Sequence, residues 1–287
     1  MDVAIRNEAL LGEGPRWDAL SRRLLWVDIE AGVLHLFDPA RGRDRAITLG
    51  SRVGACAPTP DSRRVLVALE NRLALVDLED ESLHTLVEIP HGDGMRLNDG
   101  ACDAAGRFWV GSMAFEETPG AAALYRYSRN AGLERVLEGV TLSNGLGWSP
   151  DGGTMYYIDS MTYRLDRFDF ELGSGVISNR RPFVTVERGA GIPDGLAVDH
   201  DGGVWVALWG GGAVRRYTPD GELDRTVVVP AERVTACCFG GDDGRGLYIT
   251  TASFELSEEE RERQALAGCV FVTDVGVSGP PAQPFAA

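Results

Sequence analysis

Residues 150–159 read Pro-Asp-Gly-Gly-Thr-Met-Tyr-Tyr-Ile-Asp, and this stretch carries the pattern that decides the fold. It joins a tight-turn sequence to a run of aromatic and apolar residues that suits a half-buried β-strand. Similar stretches occur five more times, each with a turn sequence followed by an apolar run. Those runs cover residues 24–27, 65–67, 108–110, 204–206 and 247–249. The recurrence indicates a structural repeat of short strands.

The aspartates of the six turns recur at nearly regular intervals along the 287-residue chain. They lie 43, 42, 48, 50 and 42 residues apart, at Asp18, Asp61, Asp103, Asp151, Asp201 and Asp243. This period is typical of the four-stranded blade of a β-propeller. We therefore predict an all-β fold, a single six-bladed β-propeller domain of four-stranded blades over residues 1–287. The first strand, near residues 4–11, is expected to complete the last blade and close the ring.

Three segments depart from the strand pattern. Residues 257–264 are predicted to form a short exposed helix, because Ser257 and Glu260 have the spacing of a capping box. The Gly-rich segment 209–212 is predicted to be a hairpin turn inside a repeat. The tail after Gly276, which contains Ser-Gly-Pro-Pro, is expected to be loosely ordered.

Composition excludes several classes of function. A formal net charge of −15 disfavours nucleic acids and anionic membranes, which bind through Lys and Arg. No run of about 18 consecutive apolar residues could span a bilayer. The N-terminal residues lack a secretory signal pattern, so we expect a cytoplasmic protein, either a monomer or a weak homo-oligomer. The five scattered cysteines are expected to be reduced core residues.

Four polar residues occupy one phase of the repeat, where the innermost strand of a blade begins. Glu13, Asn98 and Asp194 each precede an aspartate by five residues, and Asn144 precedes one by seven. Each is followed at once, or after one residue, by a glycine that keeps the backbone slim. Because the innermost strands of a propeller surround its axis, we expect these four side chains to converge there.

Convergence of two carboxylates and two amides predicts a bound cation, because the acids would otherwise be desolvated and mutually repulsive. Oxygen ligands suit Ca²⁺, Mg²⁺ or Mn²⁺, and also Zn²⁺ or Fe²⁺ where water completes the coordination. One such residue alone would be explained by a hairpin turn, since Asn-Gly and Asp-Gly are common turn sequences. Four in register favour one divalent metal ion on the central axis.

Five segments near the predicted axis have a specific combination of residues. They are Leu-Gly-Glu-Gly-Pro-Arg-Trp at 11–17, Arg-Leu-Asn-Asp-Gly at 96–100, Ser-Asn-Gly-Leu-Gly-Trp-Ser-Pro-Asp at 143–151, Pro-Asp-Gly-Leu-Ala-Val-Asp at 193–199 and Thr-Ala-Cys-Cys-Phe-Gly-Gly at 235–241. Together they resemble the SMP-30/gluconolactonase/luciferin-regenerating-enzyme-like family, which includes sugar lactonases and regucalcin. The resemblance spans nearly the whole chain.

The resemblance implies that Glu13, Asn144 and Asp194 bind the metal ion, while Arg96 and Asn98 face the substrate. It also implies that Glu116 contacts sugar hydroxyls; the alternative for Glu116 is a solvated loop acid, and for Arg96 a surface arginine.

The resemblance implies a divalent-metal-dependent hydrolase that opens small sugar lactones such as xylono-, arabinono-, galactono- or gluconolactone. The metal ion would polarise the lactone carbonyl, and attacking water would be activated either by Asp194 as general base or by the ion. Two alternatives remain open: a metal-dependent phosphotriester hydrolase, and a non-catalytic calcium-binding regulatory protein. No G-x-S-x-G sequence occurs, which disfavours a serine hydrolase of the α/β type.

Overall fold

The computed structural model describes residues 1–286 and has six sheets of four antiparallel strands each. The innermost strands of neighbouring sheets contact one another in a closed ring. The predicted six-bladed β-propeller of four-stranded blades is therefore confirmed. No helix within residues 1–286 has the length and apolar character needed to cross a lipid bilayer.

Blades 1 to 5 each take four consecutive strands, running from the axis to the rim in chain order. Blade 1 contains β2 (Gly12–Asp18), β3 (Arg23–Asp28), β4 (Val33–Asp38) and β5 (Arg43–Thr48). Blade 2 contains β6 (Val53–Pro58), β7 (Arg64–Leu69), β8 (Arg72–Asp77) and β9 (Leu83–Glu88). Blade 3 contains β10 (Met95–Cys102), β11 (Phe108–Ala114), β12 (Ala122–Ser128) and β13 (Gly132–Val140).

The next two blades repeat this order. Blade 4 contains β14 (Ser143–Trp148), β15 (Thr154–Asp159), β16 (Arg164–Glu171) and β17 (Val176–Thr185), with a 3₁₀ helix at Ser160–Thr162. Blade 5 contains β18 (Ile192–Val198), β19 (Val204–Trp209), β20 (Ala213–Tyr217) and β21 (Leu223–Val228). The Gly-rich segment after β19 is the predicted hairpin turn.

Blade 6 joins the two ends of the chain, as predicted. It contains β22 (Val234–Gly240), β23 (Gly246–Thr251), β24 (Val270–Asp274) and the N-terminal β1 (Asp2–Ile5) at the rim. The N-terminal strand is shorter and lies earlier than residues 4–11. Residues 10 and 11 instead contact blade 1, where the backbone N–H groups of Leu10 and Leu11 donate to the carboxylate of Asp28 at 2.9 and 3.1 Å.

The predicted helix is present as α1 (Glu258–Arg263), between β23 and β24. Both halves of its capping box form: the Ser257 hydroxyl accepts from the backbone of Glu260, and the Glu260 carboxylate accepts from the backbone of Ser257. All five cysteines are buried and free, as the sequence predicts.

Apolar clusters that combine residues of adjacent blades form the core. The same set of polar contacts, an aspartate bonded to a tryptophan and an arginine, occurs in two blades. In blade 3, the wholly buried Asp103 accepts hydrogen bonds from Trp109 Nε1 at 2.8 Å and from Arg107 Nε at 2.7 Å. Blade 5 repeats the arrangement with Asp199, Trp205 and Arg216. In blades 3 and 5, an aspartate just after the innermost strand therefore fixes the buried tryptophan of the second strand.

We expect the Asp103→Ala substitution to lower the free energy of unfolding by about 3–5 kcal/mol, because it leaves the buried Trp109 indole N–H and Arg107 Nε without their acceptor. Urea denaturation measures the change. Asp151→Ala is the matched control, since Asp151 is the exposed turn aspartate of blade 4 and bonds only to its own turn. Equal losses in the two variants would contradict this account.

The tail after Gly276 corrects the sequence-based expectation of loose order. It crosses the face of the propeller at which the turn aspartates lie. Four of its backbone N–H groups donate to carbonyls of four blades, at Gly244, Trp17, Pro58 and Gly106. Phe285 is wholly buried and stacks on Tyr127 at 5.9 Å between ring centroids. Composition indicated only that regular structure was absent, whereas order in this extended segment comes from contacts with distant blades.

Truncation of Phe285 to Ala is expected to cost about 3–5 kcal/mol of unfolding free energy, because it empties a filled core position. The comparison variant is Leu223→Ala, at a side chain on the rim that is 52% exposed, for which we expect a loss below about 0.5 kcal/mol. Thermal or urea denaturation of both variants checks the difference. A loss of less than about 1 kcal/mol for Phe285→Ala would show that the tail is not a structural part of the ring.

Candidate metal and substrate site

Each innermost strand has a β-bulge near its first residues. Strand pairing shifts between Glu13 and Arg16 in β2, between Leu97 and Gly100 in β10, and at the matching places of the four other innermost strands. Such bulges bend the strand and redirect side chains, and they are common beside active sites. Here they turn side chains of the innermost strands toward the axis.

The structure places all four predicted residues at these bulges and on one cavity. Glu13, Asn98 and Asn144 are each 5% exposed, and Asp194 is 7% exposed. The glycine that follows Asn144 is required by packing, because a Cβ atom at Gly145 would lie 2.7 Å from the Asp194 carbonyl oxygen. Gly145 therefore lets the innermost strands of blades 4 and 5 approach each other.

A chain of hydrogen bonds orients the amide groups. Arg96 Nη1 donates to Asn98 Oδ1 at 2.5 Å, and Asn98 Nδ2 donates to Asn144 Oδ1 at 2.8 Å. Asn144 Nδ2 then donates to Ser160 Oγ at 2.8 Å, and Ser160 Oγ donates to the carbonyl of Pro193 at 2.7 Å. The side-chain oxygen of Asn98 is therefore directed to Arg96, and that of Asn144 is directed to Asn98.

The acidic groups at the axis differ in whether a cationic side chain is paired with them. Asp99 is paired with Arg16 at 2.9 Å. Glu13 accepts one hydrogen bond, from the Gly14 backbone at 2.7 Å, and Asp194 accepts none from residues 1–286. Burial, with repulsion from Asp99, raises the pKa of Glu13 to about 8. Burial, followed by repulsion from Glu13 and Asp99, raises the pKa of Asp194 well above its usual value.

These donors fit a divalent cation. Two buried carboxylates keep free oxygens, and the Asn144 oxygen is held in a fixed orientation by its neighbours. Within residues 1–286 no cluster of three His, Cys, Asp or Glu side chains is arranged for a metal, so a cation here would take its remaining ligands from the Asn144 amide and from water. A cation that prefers oxygen suits this set.

The cavity has a volume of 460 Å³ and two unlike walls. The charged wall, from blades 1 to 3, carries Glu30, Arg52, Arg96 and Glu117 among the apolar residues Leu11, Ile29, Met113 and Phe115. An apolar wall comes from blades 4 to 6, with Leu142, Met161, Ile192, Trp209 and Phe254, and Glu255 is the charged residue at its edge. Burial lowers the pKa of Arg96 to about 10, against an opposing attraction led by Glu30.

Glu116 does not line the cavity; it is exposed, and its neighbour Glu117 lines the cavity instead. The assignment of substrate contact to Glu116 stays a prediction. Sequence reasoning did not identify Ser160, Glu30 or Arg52. A signal was available for Glu30, since the loop after the second strand of each blade returns to the end at which the site residues lie. Nothing in the spacing marked Ser160 or Arg52.

These features define the class: a six-bladed propeller with a candidate oxygen-ligand site on its axis. A family model described as SMP-30/Gluconolactonase/LRE-like region matches residues 11–253. The chain belongs to this family, and the resemblance noted in the sequence is confirmed.

Relatives extend the match to nearly the full chain. A Bacillus subtilis (strain 168) protein named "Putative sugar lactone lactonase YvrE" is 37% identical over 290 residues, covering 100% of this chain and 99% of that protein. Regucalcin of Danio rerio is 37% identical over 285 residues, covering 98% and 96%. The solved structure of the calcium-binding protein regucalcin from Agrobacterium tumefaciens has a TM-score of 0.95 at 28% identity, covering 100% of this chain and 97% of that one.

Cation affinity is expected to rise with pH. Glu13 has a pKa of about 8 in the folded protein against the usual 4.5, so the cation-free fold is progressively destabilised as pH rises between those values. A cation must displace this proton, so we expect affinity for Ca²⁺ to increase by up to about tenfold per pH unit between pH 6 and pH 8.

Isothermal titration calorimetry in buffers of different ionisation enthalpy measures both the affinity and the released proton. In the Glu13→Gln variant, the pH dependence should weaken because the displaced proton is removed. Equal affinity for Ca²⁺ at pH 6 and pH 8 in the unmodified chain would contradict this linkage.

Proposed function

We propose that this protein hydrolyses small sugar lactones to aldonic acids, with one divalent cation held by Glu13, Asn144 and Asp194. The observation that carries the proposal is the pair of buried carboxylates, Glu13 and Asp194, without a paired cationic side chain at the floor of an open cavity. The family includes gluconolactonases in its description, and the Bacillus subtilis relative is named for lactonase activity. Both facts support the same class of reaction.

When bound, the cation supplies Lewis-acid polarisation of the lactone carbonyl. The protein's own residues then have separate roles. Asp194 accepts a proton from the attacking water as the general base. Arg96 faces the cavity with a charge that stabilises negative charge developing on the lactone.

Orientation of the lactone depends on the hydrogen-bonded chain from Arg96 to Ser160. Because Asn98 is engaged by Arg96 and Asn144, its main contribution is to fix these two neighbours. The buried floor limits access of bulk water, which strengthens electrostatic interactions there. Arg96 retains further N–H groups for ring hydroxyls.

Asp194→Asn and Glu13→Gln should each reduce kcat/KM for D-xylono-1,4-lactone or D-glucono-1,5-lactone by about 10²–10⁴-fold, because each removes a carboxylate from the reacting centre. Initial rates are measured on metal-stripped protein reloaded with Ca²⁺, Zn²⁺, Mn²⁺, Mg²⁺ or Fe²⁺. Asp201→Asn serves as the control, since Asp201 is an exposed turn residue at the other end of the same hairpin. Unaltered turnover in both site variants would eliminate the proposal.

A substrate panel separates this function from the two alternatives. Lactone turnover well above that of a phosphotriester such as paraoxon supports the lactonase, and the reverse preference supports a phosphotriester hydrolase. Tight Ca²⁺ binding with no turnover of either class supports a calcium-binding protein without catalytic function.

A further inference from the structure

The Glu30 side chain is held in place at the cavity by a group of residues that the proposed reaction does not use. Arg52 Nε donates to Glu30 Oε2 at 2.8 Å, and Arg52 Nη1 lies 3.4 Å from Glu70 Oε2. The Arg52 guanidinium also lies over the Phe115 ring, 4.9 Å from its centroid. Arg52 is thus held from three sides by blades 1, 2 and 3.

One oxygen of Glu30 remains free. Its Oε2 is occupied by Arg52, whereas Oε1 accepts no hydrogen bond from residues 1–286. The Glu30 side chain is 15% exposed, and its exposed part lines the axial cavity. Glu30 and Arg96 both line this cavity. A fixed acceptor therefore faces the same space as the predicted substrate-binding arginine.

Stability is a weak reason for this arrangement, because partly exposed ion pairs contribute little to folding. Recognition is a stronger one. A carboxylate accepts charge-assisted hydrogen bonds from hydroxyl groups, and such bonds are worth more when the acceptor is already oriented. The apolar wall opposite offers no comparable partner for hydroxyls apart from Glu255 at its edge.

We propose that Glu30 is the residue that selects polyhydroxylated lactones, by accepting hydrogen bonds from the substrate's ring hydroxyls. Arg52 is its positioning residue. The hydroxyl-bearing edge of the lactone faces the charged wall, and its carbon-rich face packs on the apolar wall. This inference rests on the proposed lactonase function for its substrate, but its binding component is tested separately below.

The kinetic test pairs Glu30→Gln with two lactones that differ in hydroxyl groups. For D-xylono-1,4-lactone, we expect kcat/KM to fall about tenfold to a hundredfold, mainly through KM, because a charge-assisted hydrogen bond is weakened. For γ-butyrolactone, which has no hydroxyl group, the change should be less than about twofold. Glu79→Gln is the matched control, because Glu79 is an exposed glutamate outside the cavity, and it should leave both rates unchanged. Equal losses for the two lactones in Glu30→Gln would overturn the inference.

Arg52 gives a second test, because a positioning residue acts only through Glu30. Arg52→Met should raise KM for D-xylono-1,4-lactone but not for γ-butyrolactone. Arg52→Lys, which keeps the positive charge, should raise KM for D-xylono-1,4-lactone less than Arg52→Met does. In the Glu30→Gln background, Arg52→Met should cause no further hydroxyl-dependent loss. Additive effects of the two substitutions would overturn the positioning role.

A binding measurement distinguishes failure of this inference from failure of the proposed function. The probe is 1,4-anhydro-D-xylitol, which keeps the ring hydroxyls but has no carbonyl to hydrolyse. Calorimetry on the Ca²⁺-loaded full chain should show affinity at least about tenfold weaker in Glu30→Gln than in wild type. If no lactone is hydrolysed but this difference in affinity is found, the proposed lactonase function is overturned and the role of Glu30 in binding hydroxyl groups stands. No binding, or equal binding by both proteins, would overturn the role of Glu30.

Discussion

The close approach of six innermost strands at the axis is the constraint on which the rest of the structure depends. Glycine makes it possible: a Cβ atom at Gly54 would lie 2.5 Å from the Leu97 carbonyl oxygen, and one at Gly195 would lie 2.5 Å from the Ala236 Cβ. Because the strands approach this closely, short side chains from four different blades share one cavity floor. Bulges at the same places turn these side chains inward.

The approach of the strands also creates an electrostatic problem, because it brings three acids into a poorly solvated region. The protein solves it for Asp99 with Arg16, whose guanidinium also bonds to the Gly100 carbonyl. Glu13 and Asp194 receive no such partner, and burial raises the pKa of both. This imbalance is what makes the floor of the cavity suited to a cation and distinguishes it from an ordinary buried ion pair.

Particular elements show how far prediction from sequence reached. The blade period, the joining of the chain ends and the capped helix were predictable, because each is determined by residues near one another or by a repeat. The Glu116 assignment illustrates the limit. Glu116 is exposed, while its neighbour Glu117, which has a positive φ of 48°, lines the cavity, and the repeat does not encode this difference of one position. The tail was misjudged because the burial of Phe285 depends on blades far away in the chain.

The sequence by itself determined the number of blades, the phase of each strand and the positions of the polar residues at the axis. These follow from a repeat in which turn chemistry and β-propensity recur at a fixed period. Tertiary structure alone decided which acids are neutralised and which side chains orient Asn144. It also decided that the charged residues around the cavity come mainly from blades 1 to 3. The physical reason is that such pairings join side chains from different blades, at distances in space that sequence separation does not encode.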